Sequence, residues 1–79
     1  EFVIGKNPSA VDAALTFSRM ISRVHCKISR GGSGYTVTDL NSSNGTYVNQ
    51  QRLAPQSPCP VKNGDVIRIA STDFQVIIR

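Results

Sequence analysis

The stretch Asp39-Leu40-Asn41-Ser42-Ser43-Asn44-Gly45-Thr46-Tyr47-Val48-Asn49 carries more polar, turn-forming residues than a plain β-hairpin needs. Asn44-Gly45 alone supplies the positive φ that closes a two-residue type I′ turn. Asn41, Ser42 and Ser43 are then surplus to the turn, and their short side chains bring hydrogen-bonding groups with almost no bulk. A loop of this kind suits recognition of an oxyanion or a peptide backbone. Upstream, Ser22-Arg23-Val24-His25 has the same character, a hydroxyl beside a guanidinium just ahead of another alternating run.

Outward from these loops, period-two runs separated by Gly, Asn, Pro and Ser recur about every ten residues, the pattern of an antiparallel sandwich or barrel rather than of βαβ units. The alternation predicts strands at residues 2–4, 13–17, 26–29, 35–39, 46–48, 66–70 and 74–78. Residues 7–20 are ambiguous, since Asp12-Ala13-Ala14-Leu15 has helix propensity. Val11, Ala13 and Leu15 nevertheless alternate and Phe17 continues their face, which favours a loop feeding a strand. Pro55, Pro58 and Pro60 cannot donate ladder hydrogen bonds, so the segment between Arg52 and Lys62 is expected to be a surface connection and not a central strand.

Seventy-nine residues at 39% hydrophobic content make one small domain, residues 1–79, near the size at which a single core only just offsets chain entropy. No apolar run approaches the roughly 20 residues needed to span a bilayer, and no signal-peptide pattern opens the chain. Both ends have the character of interior strand, so a piece of a larger multidomain protein is expected. The net charge of +4 favours an acidic partner. The basic residues are dispersed, however, and dispersed charge also merely keeps a small domain soluble. Cys26 alternates with Val24 and Ile28 as a small buried hydrophobe does, so Cys26 and Cys59 are expected as free thiols. Neither a CxxC pair nor a His cluster is present, so neither a metal nor a cofactor is expected.

Ile4-Gly5-Lys6, Ser22-Arg23-Val24-His25, Ser43-Asn44-Gly45-Thr46 and Asn63-Gly64-Asp65 follow one another in an order and spacing that resemble the forkhead-associated (FHA) domain, over nearly the whole chain from Val3 to Ile78. The resemblance implies an all-β fold, an FHA/SMAD-like β-sandwich of about eleven short strands in two antiparallel sheets. It also implies a non-catalytic module that is monomeric in isolation. Loops at one end would bind a phosphothreonine-containing protein or peptide, in trans or within the same protein. By similarity, Ser22 donates its hydroxyl to a phosphate oxygen, Arg23 brings a guanidinium, Lys6 adds a cation, Ser43 completes the shell, and the Asn44 amide bridges to the peptide main chain. Gly5, His25, Gly45 and Thr46 would brace the loops, and Gly64 would supply positive φ. The preference for threonine would come from its methyl group, whose burial is worth about 0.8 kcal/mol by transfer.

Two positions depart from the family pattern. Lys6 stands where arginine is usual, and an ammonium cannot make the planar two-pronged contact of a guanidinium. Arg23, and Arg19 in the same long loop, are the candidates for the missing charge. Gln50 replaces a glycine after Val48-Asn49, which implies a turn of different geometry there, with little consequence for the phosphate site.

Other classes fare worse. His25 three residues after Ser22 has the spacing of a general base, but no acidic residue is placed to orient the imidazole, and neither paired carboxylates nor a P-loop is present. Three Phe and two Tyr with no clustered Lys/Arg argue against nucleic acid, and no membrane partner is indicated. The alternative within the family is a scaffold that docks without phosphate. Free thiols and a phosphate-reading role favour the cytosol for this domain, with a membrane-attached or nuclear parent protein as the alternatives.

Overall fold

β-Branched and aromatic side chains at every second position favour extended backbone, because they pack on a pleated surface while their polar neighbours face water. In the computed structural model, which describes residues 1–78, this alternation resolves into nine strands: β1 (Phe2–Gly5), β2 (Ala13–Ala14), β3 (Cys26–Gly31), β4 (Gly34–Asp39), β5 (Thr46–Val48), β6 (Gln51–Arg52), β7 (Cys59–Val61), β8 (Val66–Ile69) and β9 (Thr72–Gln75). They form two sheets, ordered β2-β1-β3-β4-β7 and β6-β5-β8-β9. The pairing of β1 with β2 is parallel and the others are antiparallel. The architecture is the all-β sandwich that the sequence implies, with nine described strands rather than about eleven.

Register decides which side chains meet. Ile28 pairs with Val37 and Val37 with Cys59, which aligns three apolar residues on one face. In the second sheet Val48 pairs with Ile67 and Ile67 with Phe74. The apolar faces close on a core of Ile21, Cys26, Val37, Val48, Leu53, Val61, Ile67, Ile69 and Ala70. Cys26 pairs with Asp39, so the phase that points the thiol inward points the carboxylate inward as well. Both cysteines are free. Burial, followed by the charge of Asp39, pushes the Cys26 thiol up to about 12.

Several local expectations change. Cys59–Val61 does pair, as the edge strand β7, with Pro60 opposite Thr36. An edge strand uses only one of its two rows of backbone groups, so a proline on the outer row removes no ladder bond. The final strand begins at Thr72 and ends at Gln75. Residues 76–78 leave the ladder and run beside the preceding turn, where Gly64 N donates to Val76 O at 2.9 Å and Ile78 N to Asn63 Oδ1 at 2.8 Å. Beyond β2, Leu15 N still donates to Gly5 O at 2.8 Å, but Phe17 is 60% exposed and does not continue the buried face.

Asn44-Gly45 is not a hairpin turn. Residues 40–45 carry the chain from β4 in one sheet to β5 in the other, and positive φ falls at Asn41 (60°) and Gly45 (87°), not at Asn44. The type I′ pattern, positive φ at both central residues, occurs instead at Asn49 (47°) and Gln50 (71°) between β5 and β6. Gln50 therefore takes a left-handed conformation of the kind that favours glycine. Gly64 has the expected positive φ, 93°.

Candidate functional site

At one end of the sandwich, three segments come side by side: the exit of β1, the stretch that leads into β3, and the crossing from β4 to β5. The first two are laced by backbone bonds, from Lys6 N to Ser22 O (2.9 Å), Asn7 N to Arg23 O (3.2 Å) and His25 N to Ile4 O (2.9 Å). So close an approach requires glycine at position 5, where a Cβ would lie 2.1 Å from Arg23 O. The consequence is local and chemical: Lys6 emerges next to Ser22 and Arg23.

His25 ties the second segment to the third. Its Nδ1 accepts from Ser22 N at 3.1 Å and its Nε2 lies 2.8 Å from Gly45 O. A backbone N–H can only donate and a carbonyl can only accept, so these partners assign the neutral ring with the proton on Nε2. The ring is fully buried. Because Nδ1 faces the Ser22 amide and not its hydroxyl, the serine–base contact of nucleophilic catalysis is absent from this pair.

The crossing is held from beneath by Asp39, a carboxylate only 2% exposed. It accepts from Ser42 N (3.1 Å), from Thr46 Oγ1 (2.7 Å) and, in a short bond, from Ser42 Oγ. Ser42 Oγ in turn accepts from Gly45 N at 3.1 Å. Buried polar groups are tolerated when fully partnered, and no buried side-chain N or O among the described residues lacks a partner. Thr46 belongs to the second sheet and Asp39 to the first, so the same carboxylate joins the sheets and shapes the loop. Sequence reasoning treated Asp39 as a strand end; its signal was a carboxylate in the inward phase of Tyr35 and Val37.

With the backbone so fixed, Ser43 and Asn44 project toward the second segment. Ser43 N donates to Ser22 Oγ at 3.1 Å, and Asn44 Nδ2 donates to Met20 O at 2.8 Å. Ser22 Oγ thus uses an acceptor site and keeps its own O–H to give away. Together Lys6, Arg19, Met20, Ile21, Ser22, Arg23, Ser43 and Asn44 line an open concavity of about 290 Å³. All five residues expected to contact ligand (Lys6, Ser22, Arg23, Ser43, Asn44) are in its wall. Gly5, His25, Gly45 and Thr46 lie behind it and are buried.

Electrostatics favour an anion there. Three cations line the concavity and no carboxylate does. The acids are committed elsewhere: Glu1 to Lys27, Asp73 to Arg68, Asp12 to Val3 N, Asp39 to the loop, and Asp65 to Lys62 N and Asn49 Nδ2. The bond from the Lys62 amide, followed by that from Asn49, holds the Asp65 carboxyl below its ordinary range. Among the described residues, no group of three or more His, Cys, Asp or Glu is placed to hold a metal.

Comparison with known proteins bears on this arrangement. The FHA domain model matches residues 2–70. The chain is 44% identical over 52 residues to the E3 ubiquitin-protein ligase rnf8 of Danio rerio, covering 63% of this chain and 10% of that protein. It spans 10 to 26% of the length of such curated relatives. Among solved structures, the FHA domain of the CT664 protein from Chlamydia trachomatis superposes with a TM-score of 0.86 at 28% identity, over 99% of this chain and 75% of that one. The N-terminal FHA domain of Rad53p from S. cerevisiae, in complex with a phosphothreonine peptide, gives 0.74 at 31% identity over 84% of this chain and 52% of that one.

Proposed function

We propose, since this chain belongs to the FHA domain family, that its concavity binds phosphothreonine in a partner protein or in another part of the same protein. The family is one of interaction modules, and its members bind phosphothreonine peptides, as the Rad53p complex illustrates. The observation that carries the reading to this chain is the meeting of Lys6, Ser22, Arg23, Ser43 and Asn44 around one concavity with three cations and no carboxylate.

Phosphorylation adds roughly −1.5 to −2 charge and three strong acceptor oxygens, so a reader needs donors that converge before the ligand arrives. Ser22 Oγ gives its free O–H to one phosphate oxygen and Ser43 Oγ serves a second. Lys6 and Arg23 supply charge. One N–H of Asn44 Nδ2 is engaged with Met20 O, which orients the amide and leaves its second N–H and its Oδ1 for the peptide main chain. A charge-assisted hydrogen bond contributes about 1.5–3 kcal/mol when desolvated, and toward the lower figure here because Arg23 and Ser43 are exposed. Met20 is the large, exposed apolar side chain in the wall against which a threonine methyl can rest.

Calorimetric titration with a degenerate phosphothreonine peptide pool, beside the same pool unphosphorylated and in its phosphoserine form, tests this. Heat confined to phosphothreonine and abolished by Ser22→Ala is the expected result; equal binding with and without phosphate refutes it. That refuting result would favour the scaffold reading, whose supporting observation is the apolar cleft between the sheets lined by Ile4, Leu15, Phe74 and Ile77, next to the edge strand β9.

A further inference from the structure

The geometry points to Arg19 as a further phosphate-contacting residue, supplying with Arg23 the planar donor pair that Lys6 cannot; this inference rests on the phosphothreonine reading above, and we propose it as a feature of this chain. Arg19 lines the same concavity as Lys6, Ser22 and Arg23. A long exposed arginine is ordinarily a solvated charge with no fixed direction. Three observations set this one apart.

First, its backbone is anchored on the C-terminal side. Ile21 is inserted into the core at 1% exposure, Met20 O is held by Asn44 Nδ2 at 2.8 Å, and Met20 N donates to Ser18 Oγ at 3.1 Å. The Cα of Arg19 is therefore fixed with respect to Ser43 and Asn44, and little backbone ordering remains to be done when ligand binds. Second, Arg19 forms no ion pair among the described residues, where the bridges are Lys27 with Glu1 and Arg68 with Asp73. Third, the site lacks a guanidinium at position 6. An ammonium is a hydrated point charge, whereas a guanidinium offers two parallel N–H donors matched to two phosphate oxygens.

The test is a titration of wild type, Arg19→Ala, Arg19→Lys and Ser22→Ala with a phosphothreonine peptide pool degenerate only in uncharged residues, so that acidic neighbours of the phosphate cannot contribute. The expected result is about tenfold weaker binding in Arg19→Ala, the equivalent of one charge-assisted hydrogen bond at an exposed site, with partial recovery in Arg19→Lys. The ³¹P resonance of bound peptide should also titrate at lower pH in wild type than in Arg19→Ala, because a guanidinium against the phosphate favours its dianion. Binding by Arg19→Ala within twofold of wild type overturns the inference. So does an unchanged ³¹P midpoint, since that would place Arg19 away from the phosphate. If wild type itself shows no phosphate-dependent heat and Ser22→Ala behaves identically, the phosphothreonine reading fails and takes this inference with it. If Ser22→Ala abolishes binding and Arg19→Ala is silent, only the role of Arg19 fails.

Discussion

Replacing Asp39 by asparagine keeps its shape while removing its charge and half of its acceptors, and the outcome can be worked from the partners already described. The Asp39 oxygen facing Ser42 Oγ and Thr46 Oγ1 becomes the amide oxygen, and those two bonds survive as neutral ones. The other oxygen, which accepts from Ser42 N, becomes an NH₂ group that meets a donor. Two charge-assisted bonds fall to roughly half their strength, and one becomes a buried donor–donor contact costing about 1–3 kcal/mol. We expect a loss of about 2–4 kcal/mol, a large share of the stability of a domain this small, equal to a fall in Tm of roughly 8–32 °C at about 4–8 °C per kcal/mol for this length. Urea denaturation followed by fluorescence or circular dichroism measures it, with the m-value checked for two-state behaviour. Thr46→Val severs one arm of the same network, so the double variant should lose less than the sum of the two singles. Phosphopeptide affinity should fall in parallel, because Ser43 and Asn44 are carried on the segment that Asp39 anchors. An Asp39→Asn protein within about 0.5 kcal/mol of wild type, binding normally, would show that backbone packing alone holds the crossing and would refute the argument.

Gly5→Ala should cost at least about 3 kcal/mol or prevent folding, since its methyl would lie 2.1 Å from a backbone oxygen that cannot move without parting Lys6 from Ser22; thermal unfolding reads the first effect and phosphopeptide titration the second. Gln50→Gly should raise stability by about 0.5–1 kcal/mol, because it relieves a left-handed conformation costing 1–2 kcal/mol and returns part of the gain to unfolded-chain entropy. Equilibrium denaturation checks that gain, and peptide affinity should stay unchanged. The Cys26 thiol, fully buried and titrating near 12, should resist alkylation at pH 8 while part-exposed Cys59 reacts; mass spectrometry after timed labelling distinguishes them, and equal rates would mean that the core opens freely.

Much of this was legible in the chain because short-range rules carry it. Period-two alternation located β1, β3, β4, β5 and β8 to within two residues, since a strand with one buried face can be written only that way. That Ser22, Arg23, Ser43 and Asn44 belong together was legible from the order and spacing of the FHA-like pattern, and the fold brings them to one concavity. Failures came where a neighbour outweighed the local preference. Pro60 is compatible with a strand only because β7 lies at an edge, and Gln50 takes a glycine's conformation because the β5–β6 register demands it. Asn44-Gly45 has the composition of a hairpin turn but spans two sheets, a matter of which strands pair and not of which residues turn.

The sequence by itself determined the fold class, the buried alternation and which loops carry the small donors and cations, because each depends on a residue's own chemistry and its spacing to near neighbours. Tertiary structure alone decided how those residues are held. The contact of Gly5 with Arg23, the choice of His25 tautomer between Ser22 and Gly45, the commitment of Asn44 Nδ2 to Met20 O, and the arrival of Arg19 in the same wall join segments 15 to 25 residues apart. Such contacts are fixed by the register of two packed sheets, to which no local window of sequence has access.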